Sequence, residues 1–348
     1  MLTTIFFLSS GLFLGWSLGA NDAANIFGTA VGTRMVRFRW AAFIASAFVI
    51  IGAVASGSGA SETLGRLGTV TALPGAFTVA LAAALTVLWM TRLRLPVSTT
   101  QAIVGAIIGW NAFAGAGTDV APLSTIISSW IAGPLLAMLF SAILYFGMRA
   151  LLRWLRLGII LQDAYTRTAL ILAGAFGAYS LGANNIANVM GVFVPSAPFT
   201  AQQIAGMDVS SAQQLFLLGG IAIAVGIYTY SHRVMETVGS DLYKLSPVAA
   251  LIVVLSSALV LFLFASEGLK LWIEARGLPW FPLVPISSSQ AVVGGVLGIG
   301  LAKGGRNINL GLLAKIGLGW VATPLAAGLT SFVLLFFAQN LFMLEVVG

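Results

Sequence analysis

Apolar stretches at about 4–31, 40–57, 74–91, 95–114, 122–148, 168–194, 215–230, 247–265, 285–301 and 311–342 occupy most of this 348-residue chain. They restrict the fold more than any other feature. Hydrocarbon cannot hydrogen-bond a peptide group, so a segment that crosses a bilayer must satisfy its own backbone as a helix or a closed barrel. A barrel needs short segments of alternating polarity, and these runs are long and uniformly apolar. Most have the ~20 residues that carry a helix across ~30 Å of hydrocarbon. Only 8% of residues are charged, against roughly 25% in soluble domains. The expectation is an all-α integral membrane protein, polytopic, with the lipid bilayer as its solvent. Residues 1–31 read as a retained first span, because no Lys or Arg precedes the run as it would in a signal peptide.

The remaining composition excludes several classes. The net charge of +7 does not form one basic face; it lies in short clusters between spans, where it sets orientation. No nucleic-acid partner is expected. The chain has no cysteine and one histidine, His232, so thiolate and histidine-cluster metal sites are excluded and no cofactor is expected.

Two segments repeat. Residues 17–28, Ser-Leu-Gly-Ala-Asn-Asp-Ala-Ala-Asn-Ile-Phe-Gly, match 180–191, Ser-Leu-Gly-Ala-Asn-Asn-Ile-Ala-Asn-Val-Met-Gly, at eight of twelve positions. Residues 96–109, beginning Pro-Val-Ser-Thr-Thr-Gln, match 285–298, beginning Pro-Ile-Ser-Ser-Ser-Gln. Glu62–Gly65 matches Glu236–Gly239, and Trp130 with Pro134 matches Trp320 with Pro324. All four elements keep their order, so the chain reads as two repeats, 1–160 and 161–348, that pack as one transmembrane unit.

The basic clusters give the repeats opposite directions. Arg34, Arg37 and Arg39 follow the first motif span, whereas Arg149, Arg153, Arg156 and Arg167 precede the second. With positive residues inside, 34–39, 149–167 and 303–306 are cytoplasmic and both termini lie outside the cell membrane. That is an inverted-topology repeat, the sequence pointer to a binding site at the repeat interface. Arg92 and Arg94 leave two arrangements open: a cytoplasmic turn between full spans, or the tip of a re-entrant hairpin. Trp89, Trp110, Trp130 and Trp320 are expected at span ends as interfacial anchors.

The polar residues inside the apolar runs are the candidate site. Each Pro-x-Ser-x-x-Gln segment reads as a helix start, since Ser and Thr cap helices and the residue before proline avoids the helical region. Helix N-termini present unpaired N–H groups to an anion. Ser98, Thr99, Thr100, Ser287, Ser288 and Ser289 add hydroxyls there, and Gln101 and Gln290 add amides. Two such N-termini can hold a tetrahedral oxyanion; the plainer reading is capping and interhelical packing. Asn21, Asp22 and Asn25, with Asn184, Asn185 and Asn188, offer hard oxygen ligands to a small cation. Gly19, Gly28, Gly32, Gly182 and Gly191 would let these helices unwind and free further carbonyls. The plainer reading, interhelical amide bonding, accounts poorly for Asp22, because a charge at mid-membrane costs roughly 2.5–3.5 kcal/mol. Glu62, Glu236 and His232 read as interfacial or loop residues.

On Gly19–Asn25, Gly182–Asn188, Pro96–Gly109, Glu236–Pro247 and Pro285–Gly298 the chain resembles the inorganic phosphate transporter (PiT) family. The resemblance implies a secondary transporter, not an enzyme, that couples phosphate import to sodium or protons by alternating access and is usually a homodimer. It implies that the Ser/Thr segments face inorganic phosphate and the Asn/Asp clusters hold sodium ions. Asn185 stands where the family commonly has aspartate, and Gln101 and Gln290 where it usually has histidine. Fewer titratable groups favour sodium over protons. Sulfate or another oxyanion is the alternative substrate, and an anion channel a remoter alternative.

Overall fold

The computed structural model describes residues 2–92, 97–204, 206–237, 245–305 and 310–348. The helices are α1 (Leu2–Gly32), α2 (Phe38–Ser56), α3 (Ser58–Leu67), α4 (Leu73–Arg92), α5 (Thr99–Ala114), α6 (Val120–Leu155), α7 (Ile159–Met190), α8 (Ser211–Thr229), α9 (Ser231–Thr237), α10 (Pro247–Ala265), α11 (Glu267–Glu274), α12 (Ser288–Ala302) and α13 (Leu310–Asn340). Among the described residues eight are long and apolar enough to cross a membrane: α1, α2, α4, α6, α7, α8, α10 and α13. The all-α expectation holds, with one small exception. The loop 195–214 carries a short antiparallel hairpin, Gln202–Ile204 against Met207–Val209.

Two apolar stretches are not the continuous spans their length suggested. In 95–114 and 285–301 the helix begins only after an extended residue, Ser98 (φ −110°, ψ 114°) and Ser287 (φ −74°, ψ 112°). α5 has 16 residues and α12 has 15, about 24 and 22 Å of rise, too short to cross ~30 Å. Each is capped as the sequence predicts. The Ser98 hydroxyl accepts from the Gln101 N–H and the Ser287 hydroxyl from that of Gln290, both at 3.3 Å. Such a cap contributes about 1 kcal/mol.

Helices from one repeat pack on helices from the other, and the contacts come in pairs. α1 lies on α8, where a Cβ at Gly19 would sit 2.0 Å from the Ile223 carbonyl oxygen. α7 lies on α2, where a Cβ at Gly182 would sit 2.1 Å from that of Val49. Likewise α5 lies on α13 through Gly105 and Pro324, and α12 on α6 through Gly294 and Pro134, each 2.1 Å on the same measure. Backbones can approach this closely only without a side chain, which is how membrane helices gain packing where apolar burial gives no drive. The expected unwinding is not observed at Gly19, Gly28 or Gly182, whereas Gly32 ends α1 and at Gly191 α7 gives way to a 3-10 turn, Gly191–Phe193. Gly19, Gly28 and Gly182 lie inside unbroken helix; at Gly19 and Gly182 the missing side chain admits a neighbouring backbone.

The outer faces of α6 and α13 are apolar. Ile127, Ile131, Leu135, Leu139 and Ile143, four residues apart on α6, are all exposed, as are Leu318, Val321, Leu325 and Leu329 on α13. A continuous apolar stripe on an outer helix face fits acyl chains rather than water. Of the four tryptophans expected at span ends, Trp89 fits, being exposed near the end of α4. Trp110 is buried and donates to the Val346 carbonyl at 3.0 Å. Trp130 and Trp320 sit one turn before Pro134 and Pro324, inside α6 and α13.

Candidate functional site

The two extended tips that precede α5 and α12 meet in the interior. The Thr100 hydroxyl donates to the Ile286 carbonyl and the Ser289 hydroxyl to the Val97 carbonyl, both at 3.2 Å. Thr100 and Ser289 are paired by the sequence repeat, as are Val97 and Ile286, so this is one contact made twice. Ser98, Thr99, Thr100, Gln101, Ser287, Ser288 and Gln290 are buried and Ser289 is half-buried. Two helix N-termini with their hydroxyls therefore share one small volume, which suits a multi-oxygen anion.

The Asn/Asp motifs on α1 and α7 close around these tips, each reaching the tip of the other repeat. Ser288 donates to Asp22 at 2.6 Å, and Asn188 donates to the Thr100 hydroxyl at 2.9 Å. Asn21 donates to Asp22 at 3.2 Å, and its counterpart Asn184 donates to Asn185 at 2.9 Å. Among the described residues Asp22 is the one buried charged side chain, 3% exposed. Several buried polar atoms of the motifs and of α10 have no partner: the side-chain carbonyl oxygens of Gln101, Gln290 and Asn188, the Asn185 amide nitrogen and the Ser257 hydroxyl. A buried, unpaired polar atom costs about 1–3 kcal/mol. These atoms are free to take a ligand.

Ser257 on α10 was not legible as a site residue, because a lone Ser-Ser pair in an apolar run is ordinary in membrane helices. It lines a cavity of about 10 Å³ with Asn25, Ser288, Gly177 and Leu181. That is close to the least space that holds one water, and so about one small ion. Oxygens from Asn25, Ser257 and Ser288, with Asp22 bonded to Ser288, form a hard donor set suited to sodium.

The two halves of the site are not in the same state. Asn184 accepts from the Ile286 N–H at 2.8 Å and donates to the Ile286 carbonyl at 2.7 Å, like a neighbouring strand. Beside it the Tyr179 and Ser56 hydroxyls bond at 2.7 Å, and Ser180 and Asn184 are fully buried. Asn21 makes no such pair with Val97. It is half-buried on the wall of a cavity of about 210 Å³ lined also by Trp16, Ser17, Thr91, Arg92 and Tyr230. Arg92, exposed at the end of α4, thus forms part of this cavity's wall. Arg94 and Pro96, and with them the turn that would decide between the two hairpin arrangements, lie outside the described residues.

The chain is similar to known proteins over nearly its whole length. A candidate phosphate permease of Pyrococcus abyssi is 27% identical over 92% of this chain and 94% of its own. One of Methanocaldococcus jannaschii is 29% identical over 92% and 93%, and one of Chlamydia pneumoniae 28% over 97% and 99%. A solved structure of a sodium-dependent phosphate transporter superposes with a TM-score of 0.78 at 25% identity, covering 97% of this chain and 99% of that one. The profile of the phosphate transporter family matches residues 18–331 and 277–346. With a multi-pass helical fold, two buried polar helix N-termini that meet in the interior and family matches from end to end, this chain belongs to the phosphate transporter family, a family of membrane transporters and not of enzymes.

Proposed function

We propose that this protein imports inorganic phosphate across the cell membrane in symport with sodium, by alternating access. The observation that carries the reading is the junction of Asp22 with Ser288, where the one buried carboxylate among the described residues meets a helix N-terminus. A cation held there neutralises Asp22 and stabilises the anion beside it, so each ion favours binding of the other. Phosphate is held by Ser98, Thr99, Thr100, Gln101, Ser287, Ser288, Ser289 and Gln290 with the N–H groups of α5 and α12. Sodium is held around Asp22 with Asn21 and Asn25, and more weakly around Asn185 with Asn188. In the second motif Asn184 clamps Ile286 in this conformation and is free to ligate only after release. The sodium-dependent transporter of similar fold supports this coupling ion.

The two repeats have inverted topology and both termini lie outside, with re-entrant hairpins that bring the Ser/Thr tips to mid-membrane. The arginine distribution and the swapped packing of the repeats support this arrangement. The present conformation is then open toward the cytoplasm, where Asn21 and Arg92 line the cavity, and shut outside by the Asn184–Ile286 clamp. Exchange of the two arrangements, with Asn21 clamping Val97 and Asn184 releasing Ile286, would open the opposite mouth. The functional unit is a homodimer.

Uptake into proteoliposomes of phosphate and of sulfate, each under an imposed sodium or pH gradient, tests the reading. Sodium-driven phosphate accumulation is expected. Sulfate accumulation in its place assigns another oxyanion, drive by the pH gradient alone rejects sodium, and flux down the phosphate gradient alone indicates a channel.

A further inference from the structure

A second polar feature lies away from the transport site, between α6 and α10. A groove of about 510 Å³ is lined by Tyr145, Arg149, Arg153, Met148, Leu152, Val248 and Ile252. Arg149 and Arg153 are four residues apart, so both project from one face of α6. Lys303, at the end of α12, lies over the Tyr145 ring at 5.9 Å. Three cations therefore converge on one groove, and among the described residues none of them has a carboxylate partner. One N–H of Arg153 is spent on the Arg149 carbonyl, leaving the rest of that guanidinium and all of Arg149 for a ligand. The remaining lining is apolar and continues onto the outer surface of α6, where Ile143 and Phe146 are exposed.

We propose that this groove is a binding site for an anionic phospholipid, with Arg149, Arg153 and Lys303 on the phosphodiester and the acyl chains along Met148, Val248 and Ile252. The chemistry favours a lipid over free phosphate. Guanidinium groups bind phosphate oxygens in bidentate fashion, but a free anion gains nothing from an apolar floor that opens toward hydrocarbon. Basic pockets between membrane helices are where acidic headgroups bind. The position also matters, because α6 carries Pro134 against α12 and the groove joins α6 to α10. A lipid here tethers the helices behind the second tip without touching the transport site, and the inference is independent of what is transported.

The test uses the purified full chain in detergent, with phosphatidylglycerol or phosphatidylcholine added at equal mole fraction. Bound lipid is read by native mass spectrometry, and the thermal midpoint is read in parallel. Preferential retention of phosphatidylglycerol is expected, weakened at least tenfold in Arg149→Gln/Arg153→Gln and several-fold in Lys303→Gln. Arg149→Lys/Arg153→Lys should retain part of it, and Arg34→Gln/Arg37→Gln all of it. Equal retention of the two lipids overturns the proposal, as does unchanged phosphatidylglycerol binding in the folded double variant. Displacement of the lipid by millimolar inorganic phosphate would make the groove an anion site instead.

Discussion

Asp22 and Ser288 sit 2.6 Å apart at the centre of the molecule, and each can be tested singly. In Asp22→Asn both motifs become Asn-Asn, so the cation proposed there would lose the carboxylate while the shape is kept. The expected outcome is a folded protein without sodium-driven uptake in proteoliposomes; full uptake would make Asp22 a packing residue. Removing one donor to a charged ligand costs about 1.5–3 kcal/mol, roughly 10–100-fold in affinity. Ser98→Ala and Ser287→Ala should raise the half-saturating phosphate concentration by that factor, whereas unchanged values would leave these hydroxyls as caps alone. Gly19 offers a prediction about stability alone. A methyl group there meets the Ile223 carbonyl, and overpacking costs about 1–3 kcal/mol. Gly19→Ala should lower the thermal midpoint by several degrees, while Gly65→Ala, with open space at its Cβ, should not.

At the scale of the element, the two tips differ by one clamp. Asn184→Ala removes two hydrogen bonds to Ile286, each worth about 1 kcal/mol net, which shifts the balance between conformations about 30-fold. In this cysteine-free chain a Ser180→Cys reporter, fully buried in the clamped state, should gain thiol reactivity in the Asn184→Ala background. A Thr91→Cys reporter, exposed on the cavity wall, should lose it. If Ser180→Cys stays unreactive while uptake proceeds, Asn184 is not the gate.

For the whole molecule the prediction is sidedness. Arg37, after the first motif span, and Ala201, after the second, are both exposed and serve as reporters. Single cysteines at these positions should react with a membrane-impermeant maleimide from opposite faces of the membrane, Arg37→Cys only from the cytoplasm. Reaction of both from one face would refute the inverted arrangement. The swapped packing gives this a physical basis: α1 rests on α8 and α7 on α2, so neither repeat completes its core without the other.

The apolar runs by themselves determined an all-helical membrane protein, because hydrocarbon offers peptide groups no other partner. The duplicated motifs also marked the residues that meet at the centre, since polar groups inside such runs need one another. The helix starts at Ser98 and Ser287 were legible for a local reason, the Pro-x-Ser-x-x-Gln pattern. Depth and partner choice were not local. That α5 and α12 stop short of a full span, that Gly19 and Gly182 pack rather than unwind, and that Trp130 and Trp320 lie within long helices depend on which helices lie alongside. The division of labour between Asn21 and Asn184 is beyond any sequence pattern, because the two stand at matching positions of the repeat. Only the tertiary structure decided which one holds the backbone, since the packing around Asn184 brings it onto Ile286 while Asn21 lies on a cavity wall.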